Sequence, residues 1–532
     1  MPEGGARRPS PDYLSAARWD TTIQRLFAES VAADPEALLV VDGEERLSRG
    51  GLADAARRIR VALTAVGVRP GDVVSMQLPN AWSTVAAMHG VWSAGAIVNP
   101  ITTIYRGREL EVIFGSARPR VVLATAPTSA SRSGGAHGVD FVAQAREAVR
   151  ASGSAAVVLD LAAVLAGVPV GSAISPSEPA PAAADDVALL MFTSGTTGRP
   201  KGVLHSHRSL LYEAASIGEV FDLAGDTVFM PSPLAHVTGL LYGILTPLVT
   251  GGAVSLLDRW DPEVATDLIE RDRCAFTVSA TPFLRGLAES YARRGSASSL
   301  RGFVCGGADI PPSLVAEADR ALGIRVARTY GSTEMPTLCI VRPDDDAPER
   351  HSSEGYPIGE AAARLSADGE LEVRGPELFA GYLDPSDDEE AFTADGWFRT
   401  GDLADLANDG RVTITGRRKD LIVRGGENIS AKEVEDLLLT HPAVSDVAMI
   451  GVPDPRMGER ACAVVVVAAG SEIDLTGLTA HLDRQSIARQ KYPELLWKVE
   501  ALPRTVSGKV QKFVLRRDVA AAVEAGLVEA RG

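Results

Sequence analysis

Short apolar runs alternate with longer amphipathic stretches along the first hundred residues: ALLVVDG (37–43), SRGGLADAARRIRVALTAVG (48–67), DVVSMQLP (72–79), AWSTVAAMHGVWSAG (81–95) and AIVNP (96–100). The short runs read as strands and the long ones as helices, so the chain is expected to build α/β layers. Two segments rich in Ser, Ala, Pro and Gly, 125–138 and 171–186, read as surface loops. Near residue 416 the texture changes. GRRKD sits between two short strand patterns, RVTIT and LIV, and GGENIS then leads into a helix. Ser430 followed by Glu433 fits a capping box, with Val434, Leu437 and Leu438 as the apolar face. The expected division is a large domain over 1–418 and a small α/β domain over 419–532, and no internal repeat is visible.

A chain of 532 residues suggests two to four compact units. With 45% apolar and 23% charged residues it falls among ordinary globular proteins. No run of 18 apolar residues occurs, so no membrane-spanning helix is expected. The first twenty residues lack the apolar centre of a secretory signal, which predicts a cytoplasmic protein. Cys274, Cys305, Cys339 and Cys462 are far apart and show no CxxC spacing; they are expected to be reduced and buried, with no disulfide or zinc role. A formal charge of -16 argues against a nucleic-acid partner and reads as a solvated acidic exterior.

The stretch MFTSGTTGRPKG (191–202) is not a Walker A loop, because Pro200 after Gly195, and Val203 after Gly198, stand where that motif needs glycine. Its ingredients are still those of a phosphate cradle. Gly195 and Gly198 let backbone N–H groups turn inward, Thr193, Ser194, Thr196 and Thr197 add hydroxyls, and Lys201 adds charge.

Further stretches follow in order: GAIVNP (95–100), PLAHVTG (233–239), CGGADIPP (305–312), TYGSTE (329–334), FRTGD (398–402), GRRKDLIVRGGENIS (416–430) and PRTVSGKVQK (503–512). Together with the cradle, this series resembles the adenylate-forming superfamily, which holds acyl-CoA synthetases, peptide-synthetase adenylation domains and beetle luciferases. The resemblance implies a large adenylating domain of layered sheets and helices with a small mobile C-terminal domain. It implies attack of a carboxylate on the α-phosphate of MgATP, release of pyrophosphate, and transfer of the acyl group to a nucleophile. Carried over by position, Tyr330 is the ring against adenine, with Gly331 beside it in the same loop. Thr333 is a phosphate contact and Glu334 the magnesium ligand. Asp402 and Arg417 serve the ribose. Gly306, Gly307 and Ala308 form a backbone wall between adenine and acyl group, with Asp309 facing solvent. Lys509 bridges carboxylate and α-phosphate, and Lys419 falls at the hinge about which the small domain turns.

GGENIS, with Gly425, Gly426 and Glu427, is similar to the form in CoA ligases of medium-chain, alicyclic and aromatic acids, so CoA is the expected acceptor. His236 matches the pocket histidine of the family. No Asp or Glu occurs from Met230 to Leu257, which argues against an α-amino acid substrate. The pair His205 and His207 has no third ligand at metal spacing and reads as loop. No fused carrier segment follows the final lysine motif, so the expected partners are a hydrophobic or aromatic acid, ATP, CoA and, if any protein, a separate acyl carrier. Two alternatives keep the adenylation but change the partners: nitrite activation for diazotising an aryl amine, or amide formation. A nucleotide-binding module without turnover is disfavoured by intact Glu334, Asp402, Arg417 and Lys509.

Overall fold

The computed structural model describes residues 19–126, 139–167, 182–193, 200–307, 310–342, 344–424, 427–505 and 508–530. Among them the strands form four sheets, of nine, seven, four and six strands. The seven-stranded sheet runs from Gly381–Tyr382 through Lys201–Ser206 and Val187–Thr193 to four further parallel strands built from the first 160 residues. The centre of the nine-stranded sheet is likewise parallel, from Val326–Tyr330 across to Leu38–Asp42. Parallel strands require crossovers, and the alternating sequence pattern supplies them as helices.

The main core lies where helices are covered by both large sheets. Leu52, Ile59 and Leu63 of Arg49–Ala65 and Leu210, Leu211 and Ile217 of His207–Val220 pack in one cluster with Val74 and Leu189 of one sheet and Val228 and Val254 of the other. Trp82–Ser93 departs from the expected amphipathic pattern, because every residue from Thr84 to Trp92 is buried. A helix covered on all sides has no polar face to show. No described helix is long and apolar enough to cross a membrane. The four cysteines are free and buried, as expected.

The chain leaves the four-stranded antiparallel sheet at Val412–Arg417, makes one 3-10 turn over Arg418–Asp420, and enters the six-stranded sheet at Ile422–Arg424. The following helix, Ala431–Leu438, carries half of the expected capping box. The Ser430 hydroxyl accepts from the Glu433 N–H at 3.3 Å, but the Glu433 carboxylate is taken by Lys491 Nζ at 2.6 Å. The two loops expected at 125–138 and 171–186 fall mostly outside the described residues.

One feature of the large domain was not expected from its sequence. Glu213, on the helix His207–Val220, and Glu377 are both fully buried. Tyr242 donates to Glu213 Oε1 at 2.6 Å and lies 2.5 Å from the Thr337 hydroxyl. Among the described residues, Glu213 Oε2 and both Glu377 oxygens have no hydrogen-bond partner. Burial pushes the Glu213 carboxyl up to about 7, and burial followed by the neighbouring Glu213 charge raises Glu377 as well.

The stability consequence has a definite sign. Below the ordinary value of 4.5, Glu213 is protonated in both folded and unfolded chains. As pH rises from there toward 7 the unfolded chain ionises first, so this site's contribution to stability is lost. Glu213→Gln keeps an acceptor for Tyr242 and cannot ionise. Urea unfolding at stepped pH is expected to show the variant gaining roughly 3 kcal/mol on the parent between about pH 4.5 and 7, with no further change above.

Candidate active site

The phosphate-cradle motif spans a hairpin. Val187–Thr193 and Lys201–Ser206 pair antiparallel with Thr193 opposite Lys201, so the two residues face each other at its mouth. Ser194, Gly195, Thr196, Thr197 and Gly198 lie outside the described residues. The Lys201 ammonium is 3.3 Å from Asp387 and 4.8 Å from the ring centroid of Tyr382. Tyr382 belongs to the two-residue strand Gly381–Tyr382, paired alongside Lys201–Ser206.

The TYGSTE loop follows the strand Val326–Tyr330 of the other large sheet. Gly331 is required there by space, since a Cβ would come 1.8 Å from the Pro336 carbonyl oxygen. The turn is closed by the Ser332 N–H donating to the Met335 carbonyl at 2.8 Å, while the Ser332 hydroxyl accepts from the Met335 N–H at 3.2 Å. Glu334 is held at both ends. Its carbonyl accepts from the Phe379 N–H at 2.8 Å and its Oε1 accepts from the Tyr382 hydroxyl at 2.9 Å.

Thr333 brings a correction. His205 and His207, read as loop, are neither exposed nor irregular: His205 lies in the strand Lys201–Ser206 and His207 opens the helix His207–Val220, both buried. Burial pushes each imidazole down to about 4, so both are neutral near pH 7. His205 Nε2 lies 2.7 Å from the Thr333 carbonyl. A carbonyl only accepts, so Nε2 carries the proton and Nδ1 is left to accept from the Ser209 hydroxyl at 3.1 Å. His207 Nδ1 accepts the Ile23 N–H at 3.3 Å.

Asp402 and Arg417 are directly paired across the antiparallel strands Phe398–Leu406 and Val412–Arg417. The Arg417 Nε is 3.0 Å from Asp402 Oδ1, and the Tyr330 hydroxyl donates to Oδ2 at 2.5 Å. Asp402 is buried. Burial and the adjacent Asp402 charge raise the Tyr330 phenol well above its ordinary value, so it remains a donor. Nearby, Gly307 follows the strand Gly302–Cys305 with a φ of 79°, and Ala308 and Asp309 fall outside the described residues.

A second group forms around PLAHVTG. His236 is the N-cap residue of the short helix Val237–Leu240, and its N–H donates to the Pro233 carbonyl at 2.9 Å. Gly239 is bound by the same turn, since a Cβ would sit 2.1 Å from that carbonyl oxygen. A buried π-helical turn, Leu241–Leu245, follows, a local widening that often accompanies functional sites. Burial, and then the Lys509 charge, lowers the His236 pKa. Lys509 arrives from the small domain on a loop closed by the Thr505 N–H donating to the Lys509 carbonyl at 2.8 Å and the Lys509 N–H donating to the Thr505 hydroxyl at 3.1 Å. That loop lies against the large domain, because a Cβ on Gly508 would come 2.9 Å from Pro282 Cγ. The structure thus gathers Tyr330, Asp402 and Arg417 into one group and His236 and Lys509 into another. Tyr382, which sequence reasoning passed over, touches both Lys201 and Glu334.

For Mg²⁺, the donor set is informative. Among the described residues no group of three or more His, Cys, Asp or Glu side chains could hold a metal ion. Glu334 offers a single carboxylate beside the cradle, which fits an ion that takes most of its ligands from nucleotide oxygens and water.

Comparison with known proteins shows the family. A family model described as AMP-binding enzyme matches residues 27–383, and one described as AMP-binding enzyme C-terminal domain matches 433–509. The medium-chain fatty-acid–CoA ligase of Escherichia coli strain K12 is 32% identical over 528 residues, covering 95% of this chain and 92% of that protein. The ATP-bound MatB structure from Rhodopseudomonas palustris superposes with a TM-score of 0.80 at 28% identity, covering 93% of this chain and 99% of the other. The amide bond synthetase McbA of Marinactinospora thermotolerans gives a TM-score of 0.81 at 27% identity over 93% and 99%. With both family models matched in order and relatives similar along nearly their whole length, the chain belongs to the AMP-binding enzymes, the adenylate-forming superfamily of ATP-dependent, AMP-forming ligases.

Proposed function

We propose that the protein joins a hydrophobic or aromatic carboxylic acid to CoA through an acyl-adenylate. The observation that carries this reading is the approach of the small-domain loop to the large domain, where Gly508 packs on Pro282 and the neighbouring Lys509 charge acts on His236. A carboxylate oxygen attacks the α-phosphorus of ATP, the bond to the bridging oxygen breaks, and pyrophosphate leaves. Negative charge accumulates on the α-phosphate oxygens during this step. The Lys509 ammonium meets that charge, and donors of this kind contribute about 10²- to 10³-fold in rate.

Tyr330 packs its ring on adenine, while Asp402, oriented by Arg417 at 3.0 Å, accepts from the ribose hydroxyls. Thr193, Ser194, Gly195, Thr196, Thr197, Gly198 and Lys201 hold the phosphates, with Thr333 as a further contact. Gly307 and Ala308 form the backbone wall between nucleotide and acyl group. Glu334 would hold Mg²⁺, whose charge neutralises the phosphate oxygens. His236 is neutral near pH 7, so it bounds the acyl pocket without adding charge. The absence of acidic residues from Met230 to Leu257 supports an acid with no ammonium group.

In the second step the thiol of CoA loses its proton, its sulfur attacks the acyl carbonyl, and AMP leaves. The turn Arg418–Asp420 is the hinge for that step, dividing domains at 1–418 and 419–532. Its Lys419 pKa is lowered, first by burial and then by the Arg417 charge. The likeness to an amide bond synthetase supports a second reading in which an amine replaces CoA as acceptor.

Pyrophosphate release, measured with MgATP across aliphatic and aromatic acids and nitrite, with and without CoA, separates these. One acid is expected to fire, and CoA to convert its adenylate to a thioester; adenylation without thioester formation would move the assignment to the amine acceptor, and a response to nitrite alone would replace the acid. Lys509→Ala is expected to lower pyrophosphate release by at least about 10²-fold while ATP binding, followed calorimetrically, persists. Lys419→Pro fixes a backbone angle within the hinge. It is expected to spare pyrophosphate release and suppress thioester formation, and equal loss of both would put the hinge elsewhere.

A further inference from the structure

We propose that Tyr382 is a positioning residue for adenylation, fixing the Glu334 carboxylate and the Lys201 ammonium relative to each other. This rests on the reading above, in which Glu334 serves Mg²⁺ and Lys201 the phosphates. Neither the cradle motif nor TYGSTE includes Tyr382.

One side chain serves both groups by different chemistry. The hydroxyl donates to Glu334 Oε1 at 2.9 Å, and the ring face receives Lys201 Nζ at 4.8 Å from its centroid. This hydrogen bond commits one Glu334 oxygen and leaves the other to give. Carboxylates constrained in this way hold their second oxygen in a defined direction.

The ring itself is anchored from several sides. The Tyr382 N–H donates to Asp388 Oδ1 at 2.9 Å, while Ala380 and Leu383 N–H groups donate to the Leu204 and Gly202 carbonyls at 2.8 and 2.7 Å. Those carbonyls belong to the strand that begins at Lys201. Phe379 packs on Tyr382 with ring centroids 4.8 Å apart and also donates its N–H to the Glu334 carbonyl. Gly381 has a φ of 127°, which strains any other residue, and a Cβ there would also crowd Asp388 Oδ2 at 2.8 Å. The segment 379–383 is therefore a bracket between the hairpin of one large sheet and the nucleotide loop of the other. Asp387, 3.3 Å from Lys201, completes the bracket from the charge side.

The test separates hydroxyl from ring. ATP affinity is measured calorimetrically with Mg²⁺ and again in EDTA, beside the Mg²⁺ concentration for half-maximal pyrophosphate release and the melting temperature. Tyr382→Phe keeps the ring. It is expected to reduce the Mg²⁺-dependent gain in ATP affinity about tenfold and to raise the Mg²⁺ requirement similarly, with ATP affinity in EDTA and the melting temperature unchanged. Tyr382→Leu removes the ring too and is expected to weaken ATP binding even in EDTA. If Tyr382→Phe leaves the Mg²⁺ response intact while Glu334→Gln abolishes pyrophosphate release, the positioning role is wrong and the reading of the site stands. If Glu334→Gln still releases pyrophosphate, the reading itself falls, and this role with it. A Tyr382→Phe protein that melts early and loses affinity equally with and without Mg²⁺ has lost packing only, which also overturns the proposal.

Discussion

The hydrogen bond from His205 to the Thr333 carbonyl, 2.7 Å long, joins the two large sheets at the point where the candidate site depends on their relative position. One partner lies on the hairpin that carries Lys201, the other in the loop that carries Glu334. Because burial keeps the imidazole neutral and the carbonyl dictates its tautomer, the bond has one arrangement and one direction. The imidazole itself is fully buried, and the low dielectric on that side strengthens the contact. The Phe379 and Tyr382 contacts to Glu334 then act on a loop that is already fixed at Thr333.

Much of this was visible in the chain itself. The strands and helices near the N-terminus follow from period and length, and the nucleotide motifs follow from unusual local clusters of Gly, Thr and charge. What escaped was whatever depends on distant pairs. Glu213 and Glu377 each look like ordinary surface acids, and only the packing of a helix against the segment after Gly375 buries them together. His205 and His207 were misread because HSH was weighed as a metal fragment. The strand Lys201–Ser206 is buried at Gly202, Val203, His205 and Ser206, and His207 opens the buried helix that follows. Tyr382 sits in a plain Gly-Tyr dipeptide with no local sign of Glu334, and the helix Trp82–Ser93 hides its full burial because small residues fit an enclosed slot as easily as a half-exposed face. The second half of the capping box failed for a related reason: Lys491, distant in sequence, offers Glu433 a charged partner.

The small domain is coupled to the large one with restraint. It meets the large domain through the hinge turn, through Ser430 donating to the Thr415 carbonyl at 2.6 Å, and through the Gly508 loop at Pro282. Its own cohesion is separate. Lys512 pairs with the buried Glu435 at 2.7 Å, and its apolar clusters draw only on residues after 421. A unit with its own core is suited to move as a body.

The strand Gly381–Tyr382 is only two residues long, as is Tyr356–Pro357 at the end of the other large sheet, and each lies at the outer edge of its sheet. Short edge strands shield the backbone groups of the longer strand behind them from pairing with other chains. The shield on Lys201–Ser206 is encoded late, well after the strand it covers. During synthesis from the N-terminus, the edge at Lys201–Ser206 therefore stands open until Gly381–Tyr382 has left the ribosome. The nascent chain passes through an interval in which the seven-stranded sheet lacks only this strand and is still adhesive, and that interval is the natural moment for chaperone attendance.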